Sequence, residues 1–158
     1  MKASAKAVQA VLDAAGVACF VEELPASTRT ANEAAAAIGC DVRQIAKTIV
    51  FRNPAHDSAV IVITSGVNQV DVARVAGILG EKIERATPDF VREATGFAIG
   101  GVPPCGHAVR ADVLIDQELT AIAEIWAAAG TPNAVFRLTP DQLVAVSGGR
   151  IADVAKRA

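Results

Sequence analysis

The chain has 158 residues, 52% of them hydrophobic and 20% charged, and its 15 Lys+Arg against 17 Asp+Glu leave a formal net charge of −2. This composition is too apolar for disorder, and the charge excludes a protein that coats long duplexes by charge alone, although one local basic site suffices to hold a nucleic-acid end. Five Phe, one Trp and no Tyr argue against a multi-base stacking platform.

The length predicts one domain spanning residues 1–158, large enough for a core without disulfides or metal. Val8, Val11, Leu12 and Ala15 recur at helical spacing within residues 3–15, and Gly16 supplies a C-terminal stop. Val17 to Leu24 is a short β-prone run closed by Pro25. Thr30-Ala31-Asn32-Glu33 has the form of a capping box and opens an alanine-rich helix ended by Gly39. A second short helix is expected from Val42 to Ala46. Residues 47–52 and 59–64 are β-branched runs joined by the turn Asn53-Pro54-Ala55-His56-Asp57-Ser58.

Asp71 caps a helix carrying Val72, Val75, Ala76 and Leu79. Thr87-Pro88-Asp89 starts another, with proline first and an acid in the first turn, ending near Gly96. Val109 to Ile115 is a strand candidate, with Asp116 capping the turn after it. Residues 121–129 fit a helix or a strand equally. Ala134 to Leu138 is a strand, and Thr139-Pro140-Asp141 opens a last helix with Leu143, Val144 and Val146. Strands and helices mix without strict alternation, so the expected fold class is α/β or mixed α+β.

Cys19, Cys40 and Cys105 are odd in number and widely spaced, which suits a reducing compartment. The N-terminal residues lack an apolar signal region, and nowhere do about 18 apolar residues run together. A cytoplasmic protein is the expectation.

The densest cluster of special residues is Gly96-Phe97-Ala98-Ile99-Gly100-Gly101-Val102-Pro103-Pro104-Cys105-Gly106-His107. Glycines permit close backbone approach and prolines fix the path, so the amides of Gly100 and Gly101 are candidate donors to a carbonyl or phosphate oxygen. The alternative is a tight structural turn. Lys47, where a polar stretch meets Ile49-Val50-Phe51, is a candidate point charge for a substrate oxygen, or else a solvated strand-start residue. His107, just after the glycine loop, is a candidate to orient a substrate or relay a proton, or else a structural residue, whereas His56 sits in a hairpin loop. Cys105-x-His107 is too little for zinc, and Ser27, Thr28, Ser65 and Ser147 lie in no nucleophile elbow. No cofactor or metal is expected.

Gln44-Ile45-Ala46-Lys47-Thr48-Ile49-Val50-Phe51, followed by Gly96 through Gly106, resembles the YbaK/ProX family of free-standing aminoacyl-tRNA deacylases related to the editing insertion of bacterial prolyl-tRNA synthetase. Thr30-Ala31-Asn32-Glu33-Ala34-Ala35 upstream and Gly130-Thr131 downstream extend the resemblance over nearly the whole chain. It implies a central mixed sheet flanked by helices, and hydrolysis of the ester joining a wrong amino acid to tRNA. It also implies that Lys47 contacts the terminal adenosine end and that Gly100 and Gly101 address the aminoacyl carbonyl. Pro104 and Gly106 complete the glycine-loop pattern, Gly130 and Thr131 match a second loop bordering the amino-acid pocket, and Thr30 and His107 are further candidate substrate-binding residues.

The implied partner is the acceptor end of a mischarged tRNA, with prolyl-tRNA synthetase or an elongation factor as helper and no membrane or DNA. Pro132-Asn133-Ala134-Val135-Phe136 departs from the polar stretch of the cysteinyl-tRNA(Pro) deacylases. It is closer to relatives that clear alanine or 2-aminobutyrate from tRNA(Pro). A non-catalytic module binding tRNA ends or an amino-acid-like ligand through a partner is the alternative.

Overall fold

The computed structural model describes residues 1–157. Among these residues, five α-helices, α1 (Ala3–Ala14), α2 (Ala31–Ile38), α3 (Val72–Leu79), α4 (Pro88–Thr95) and α5 (Pro140–Ser147), accompany eight strands. The strands are β1 (Val21–Glu23), β2 (Ile45–Asn53), β3 (Ser58–Ser65), β4 (Glu84–Arg85), β5 (Asp112–Asp116), β6 (Ile125–Ala128), β7 (Ala134–Leu138) and β8 (Arg150–Ala152). All join one mixed sheet in the order β1-β7-β6-β2-β3-β5-β8, with β4 alongside β2.

Local chemistry sets the helix ends. Thr30, Asp71, Thr87 and Thr139 each accept a hydrogen bond from the backbone N–H three residues on, satisfying an otherwise orphaned amide. At α2 the box differs from the expected form: Glu33 Oε1 accepts from the Thr30 hydroxyl at 3.2 Å, rather than from the Thr30 backbone amide.

β3 is buried on both faces, which explains its unbroken apolar run. Ile61 and Ile63 pack in the main core with Val8 and Leu12 of α1, Val91 of α4 and Leu143 of α5. Val60 and Val62 face the other way, onto Val75 of α3, Phe51 and Leu114. A third cluster joins Ala34 and Ala35 of α2 to Ile45, with Trp126 packed against it. At the end of β5, the fully buried Asp116 accepts from the Thr64 hydroxyl (2.8 Å), the Ser65 amide (3.2 Å) and Asn68 Nδ2 (2.8 Å). Its second oxygen caps the following 3-10 turn through the Glu118 amide, as expected.

Three expectations need correction. The helix placed at 42–46 is a 3-10 turn at Val42–Gln44, and β2 begins at Ile45 because Ile45 and Ala46 pair in parallel with Trp126 and Ala127. The same pairing settles residues 121–129, whose C-terminal half is β6. The strand expected at 109–115 starts at Asp112, where its parallel pairing with Val60 begins. Three short strands, β1, β4 and β8, occupy positions beside longer partners.

Candidate functional site

β2 carries Lys47 on the same face as Ile45 and Ile49, under α2. The cavity here has a volume of about 270 Å³. Ala31, Ala34 and Ile38 of α2 form one wall, and Ile45, Trp126, Ala128 and Val135 from three adjacent strands form the floor. Lys47, Thr28, Arg29, Thr30, Thr48 and Gly100 stand among these apolar residues as its polar elements.

Lys47 is partly buried, and its pKa is lowered because burial penalises the ammonium. No carboxylate lies within 4.0 Å of it among the described residues, in contrast to Arg52, Arg74, Arg137 and Arg157, which all have acidic partners. A half-desolvated cation without a counter-charge is costly unless something binds it. Such a group is suited to a substrate oxygen.

The glycine loop reaches the cavity through a tight turn. Gly101 N–H donates to Ala98 C=O at 3.1 Å, and Gly100, with φ +93°, is the left-handed residue of a type II turn. The side chain of Arg29 lies over this turn: a Cβ on Gly100 would fall 2.6 Å from Arg29 Cγ. Gly100 N–H has no backbone or side-chain partner among the described residues and is a free donor at the cavity rim.

The expectation of two open amides is therefore corrected. Gly101 N–H is consumed by its own turn, and Gly101 acts as a clasp instead. Its carbonyl accepts from Gly130 N–H at 2.8 Å, and a Cβ on it would meet the Thr131 backbone at 3.0 Å. Gly130 and Thr131 thus stand behind the glycine loop rather than on the cavity wall. The Thr131 hydroxyl donates to Asn133 Oδ1 (3.0 Å), and Asn133 Nδ2 in turn holds Leu24 C=O. Pro132 C=O accepts from both the amide and the hydroxyl of Thr28, fixing the segment that leads into Arg29 and Thr30. Thr30 does line the cavity, with its hydroxyl engaged in capping α2.

Pro104 is buried, and Gly106 and His107 face a different cleft of about 540 Å³, which Arg110, Asp112 and Arg150 also line. His107 Nε2 is 2.7 Å from Pro103 C=O, and burial lowers the pKa of its ring. The structure does not bring His107 to the Lys47 cavity. The Cys105 thiol is buried, and desolvation first, then Cys19, pushes its pKa up to about 11.

Sequence reasoning missed Arg29, Thr48, Trp126 and the α2 wall. The alanine-rich face of α2 was visible, but nothing local shows that small side chains there leave a hollow. Thr48 lines the cavity, and its buried Oγ1 has no hydrogen-bond partner among the described residues.

A family model described as the aminoacyl-tRNA editing domain matches residues 25–146. A curated relative, the uncharacterized protein YwhH of Bacillus subtilis (strain 168), is 32% identical over 137 residues, covering 86% of this chain and 87% of that protein. A crystal structure described as that of a candidate trans-editing enzyme for prolyl tRNA synthetase is 44% identical, with 99% of both chains covered and a TM-score of 0.93. The hypothetical protein APE2540 superposes with a TM-score of 0.88 at 27% identity, over 95% of this chain and 99% of its own.

Proposed function

Because the chain belongs to the aminoacyl-tRNA editing domain family, we propose that it hydrolyses the ester of a tRNA mischarged with a small amino acid, namely alanine or 2-aminobutyrate on tRNA(Pro). The observation that carries this reading is that the uncompensated Lys47 ammonium and the free Gly100 amide line the same apolar cavity. The relative described as a candidate trans-editing enzyme for prolyl tRNA synthetase supports tRNA(Pro) as the carrier.

An aminoacyl ester is already activated, so the protein needs to orient it, polarise its carbonyl and admit water. Gly100 N–H and the Lys47 ammonium are the donors for the oxygen that gains negative charge. Water adds to the carbonyl carbon and the bond to the ribose oxygen breaks. The water's protons pass to that leaving oxygen and to solvent by way of the neighbouring 2′-hydroxyl. Free amino acid and intact tRNA result. No side-chain nucleophile is required, consistent with a buried Cys105 thiol held neutral.

Specificity is assigned to the contour of the walls around the amino-acid side chain, not to the total volume of the cavity. Ala31, Ala34 and Ala128 leave space for a small side chain, while Ile38 and Trp126 bound it. One methylene is worth only about 1–3 kcal/mol in such a pocket, so rejection of proline relies on steric exclusion of its ring. Incubating the purified chain with alanyl-tRNA(Pro) should release alanine well above the buffer rate. Release no faster than in buffer overturns the reading.

A further inference from the structure

The floor of the cavity is interrupted in an informative way. β6 pairs with β2 at residues 45 and 46, and β4 pairs with it at 51 and 52. Between these two contacts, residues 47–50 of β2 have a strand partner on the β3 side alone. Ile45 C=O accepts from Gly66 N–H on the β3 side at 2.8 Å. Backbone groups alternate between the two edges of a strand, so those of residues 45, 47 and 49 point to β3 and those of Thr48 and Val50 point to the open gap. Thr48 C=O followed by Val50 N–H is therefore an acceptor and a donor with no strand opposite. Among the described residues no turn or side chain bonds to them either.

A second hollow, of about 180 Å³, lies against this edge. Val50, Phe51, Ala86, Val91, Ile99 and Val102 line it, with Arg85 as its charged residue. It shares Thr48, Ile49, Ile99, Gly100 and Val102 with the Lys47 cavity, so the two hollows are neighbouring compartments under the tip of the Ala98–Gly101 turn. By volume it holds roughly six waters, close to the size of one base and too small for a whole nucleotide.

We infer that this second hollow binds the terminal adenine of the tRNA, whose amino group donates to Thr48 C=O while a ring nitrogen accepts from Val50 N–H, standing in for the missing strand. The assignment rests on the reading of the chain as an aminoacyl-tRNA deacylase. Adenine carries an amino donor beside a ring-nitrogen acceptor on both its Watson–Crick and its Hoogsteen edge. Hypoxanthine replaces that donor with a carbonyl, which would oppose Thr48 C=O. The apolar walls cover the faces of the base, and the shared residues let its ribose lead directly to the ester at Gly100.

The test compares alanyl-tRNA(Pro) ending in adenosine with the same tRNA ending in inosine, for the wild type and Ala86→Phe, which fills the hollow. Wild type should lose about tenfold in kcat/KM on the inosine end, mainly through KM, because an acceptor is left unpaired. Ala86→Phe should react equally slowly with both. Equal kcat/KM for the two ends in wild type, or full discrimination retained by Ala86→Phe, overturns the inference and leaves the deacylase reading standing. If wild type hydrolyses neither substrate, the deacylase reading falls. Amide NMR of wild type titrated with AMP and with IMP then decides the base site. Shifts at Thr48, Ile49, Val50 and Ala86 with AMP and not with IMP support it, and shifts elsewhere, or none, overturn it.

Discussion

Lys47→Met separates what the lysine does for catalysis from what it costs the fold. Methionine keeps an unbranched stem of similar length, so the space Lys47 fills between Ile45 and Ile49 on this face of β2 stays occupied, while the cation disappears. Burial lowers the Lys47 pKa, so the folded protein favours the neutral amine more than the unfolded chain does. The charged form therefore costs stability at neutral pH, and that cost fades as pH rises through the folded-state value. Because the side chain is still partly solvated, removal of the charge should stabilise the protein by about 1 kcal/mol, or about 2–4 °C in Tm for a domain of this size. The same change removes a donor to the developing oxyanion, a loss of about a hundred- to a thousandfold in rate. Thermal melts at pH 7 and at alkaline pH, with single-turnover deacylation of alanyl-tRNA(Pro), read both effects. A variant more stable at pH 7, with that advantage shrinking at alkaline pH, and nearly inactive, is the expected result. A variant destabilised by several degrees, or one active within a few-fold of wild type, removes Lys47 from the role given to it here.

Gly101→Ala should cost about 1–3 kcal/mol in chemical denaturation and lower kcat, because the new Cβ meets the Thr131 backbone at 3.0 Å and forces the clasp apart; native stability and turnover would rule that clasp out. Replacing Cys19, Cys40 and Cys105 together by alanine should leave the rate constant within a few-fold, and complete inactivation of a folded Cys105→Ser protein would instead demand a covalent mechanism. A mischarged tRNA ending in 2′-deoxyadenosine should bind comparably but react at least about a hundredfold more slowly, the usual size of a lost acid–base contribution. His107→Ala should be far milder, since His107 is tied to Pro103 C=O in the other cleft. Normal turnover of the deoxy substrate with a dead His107→Ala enzyme would put the base on the protein.

Much of this architecture is written in local chemistry. Thr30, Asp71, Thr87 and Thr139 announce four helix starts, because a short polar side chain before an apolar run has few better uses than capping. The runs at 47–52 and 59–64 announce the central hairpin for the same kind of reason. What escaped depends on partners far along the chain. Ile45 belongs to a strand because Trp126 lies beside it, and Arg85 and Arg150 form two short strands by pairing with Phe51 and Leu114. The site divides in the same way. Lys47, Gly100 and Thr30 are marked by residue type in their neighbourhoods, and they do converge on one cavity. Gly101 and His107 carry the same marks, but turn geometry spends the amide of one, and the chain after Pro103 carries the other to a different cleft. Arg29 and Trp126 had no distinguishing pattern, since their place in the site comes from the β6–β2 pairing and the Thr28–Pro132 contacts.

In the proposed function, one small cavity, armed with Lys47 and Gly100, removes small amino acids from tRNA(Pro) and spares the correct one. Single-turnover deacylation of alanyl-, 2-aminobutyryl-, cysteinyl- and prolyl-tRNA(Pro), measured side by side with the purified protein, tests it most directly. The alanyl and 2-aminobutyryl esters should be lost rapidly, and the prolyl ester should decay no faster than in buffer. Equal hydrolysis of alanyl- and prolyl-tRNA(Pro), or protection of all four, would contradict it.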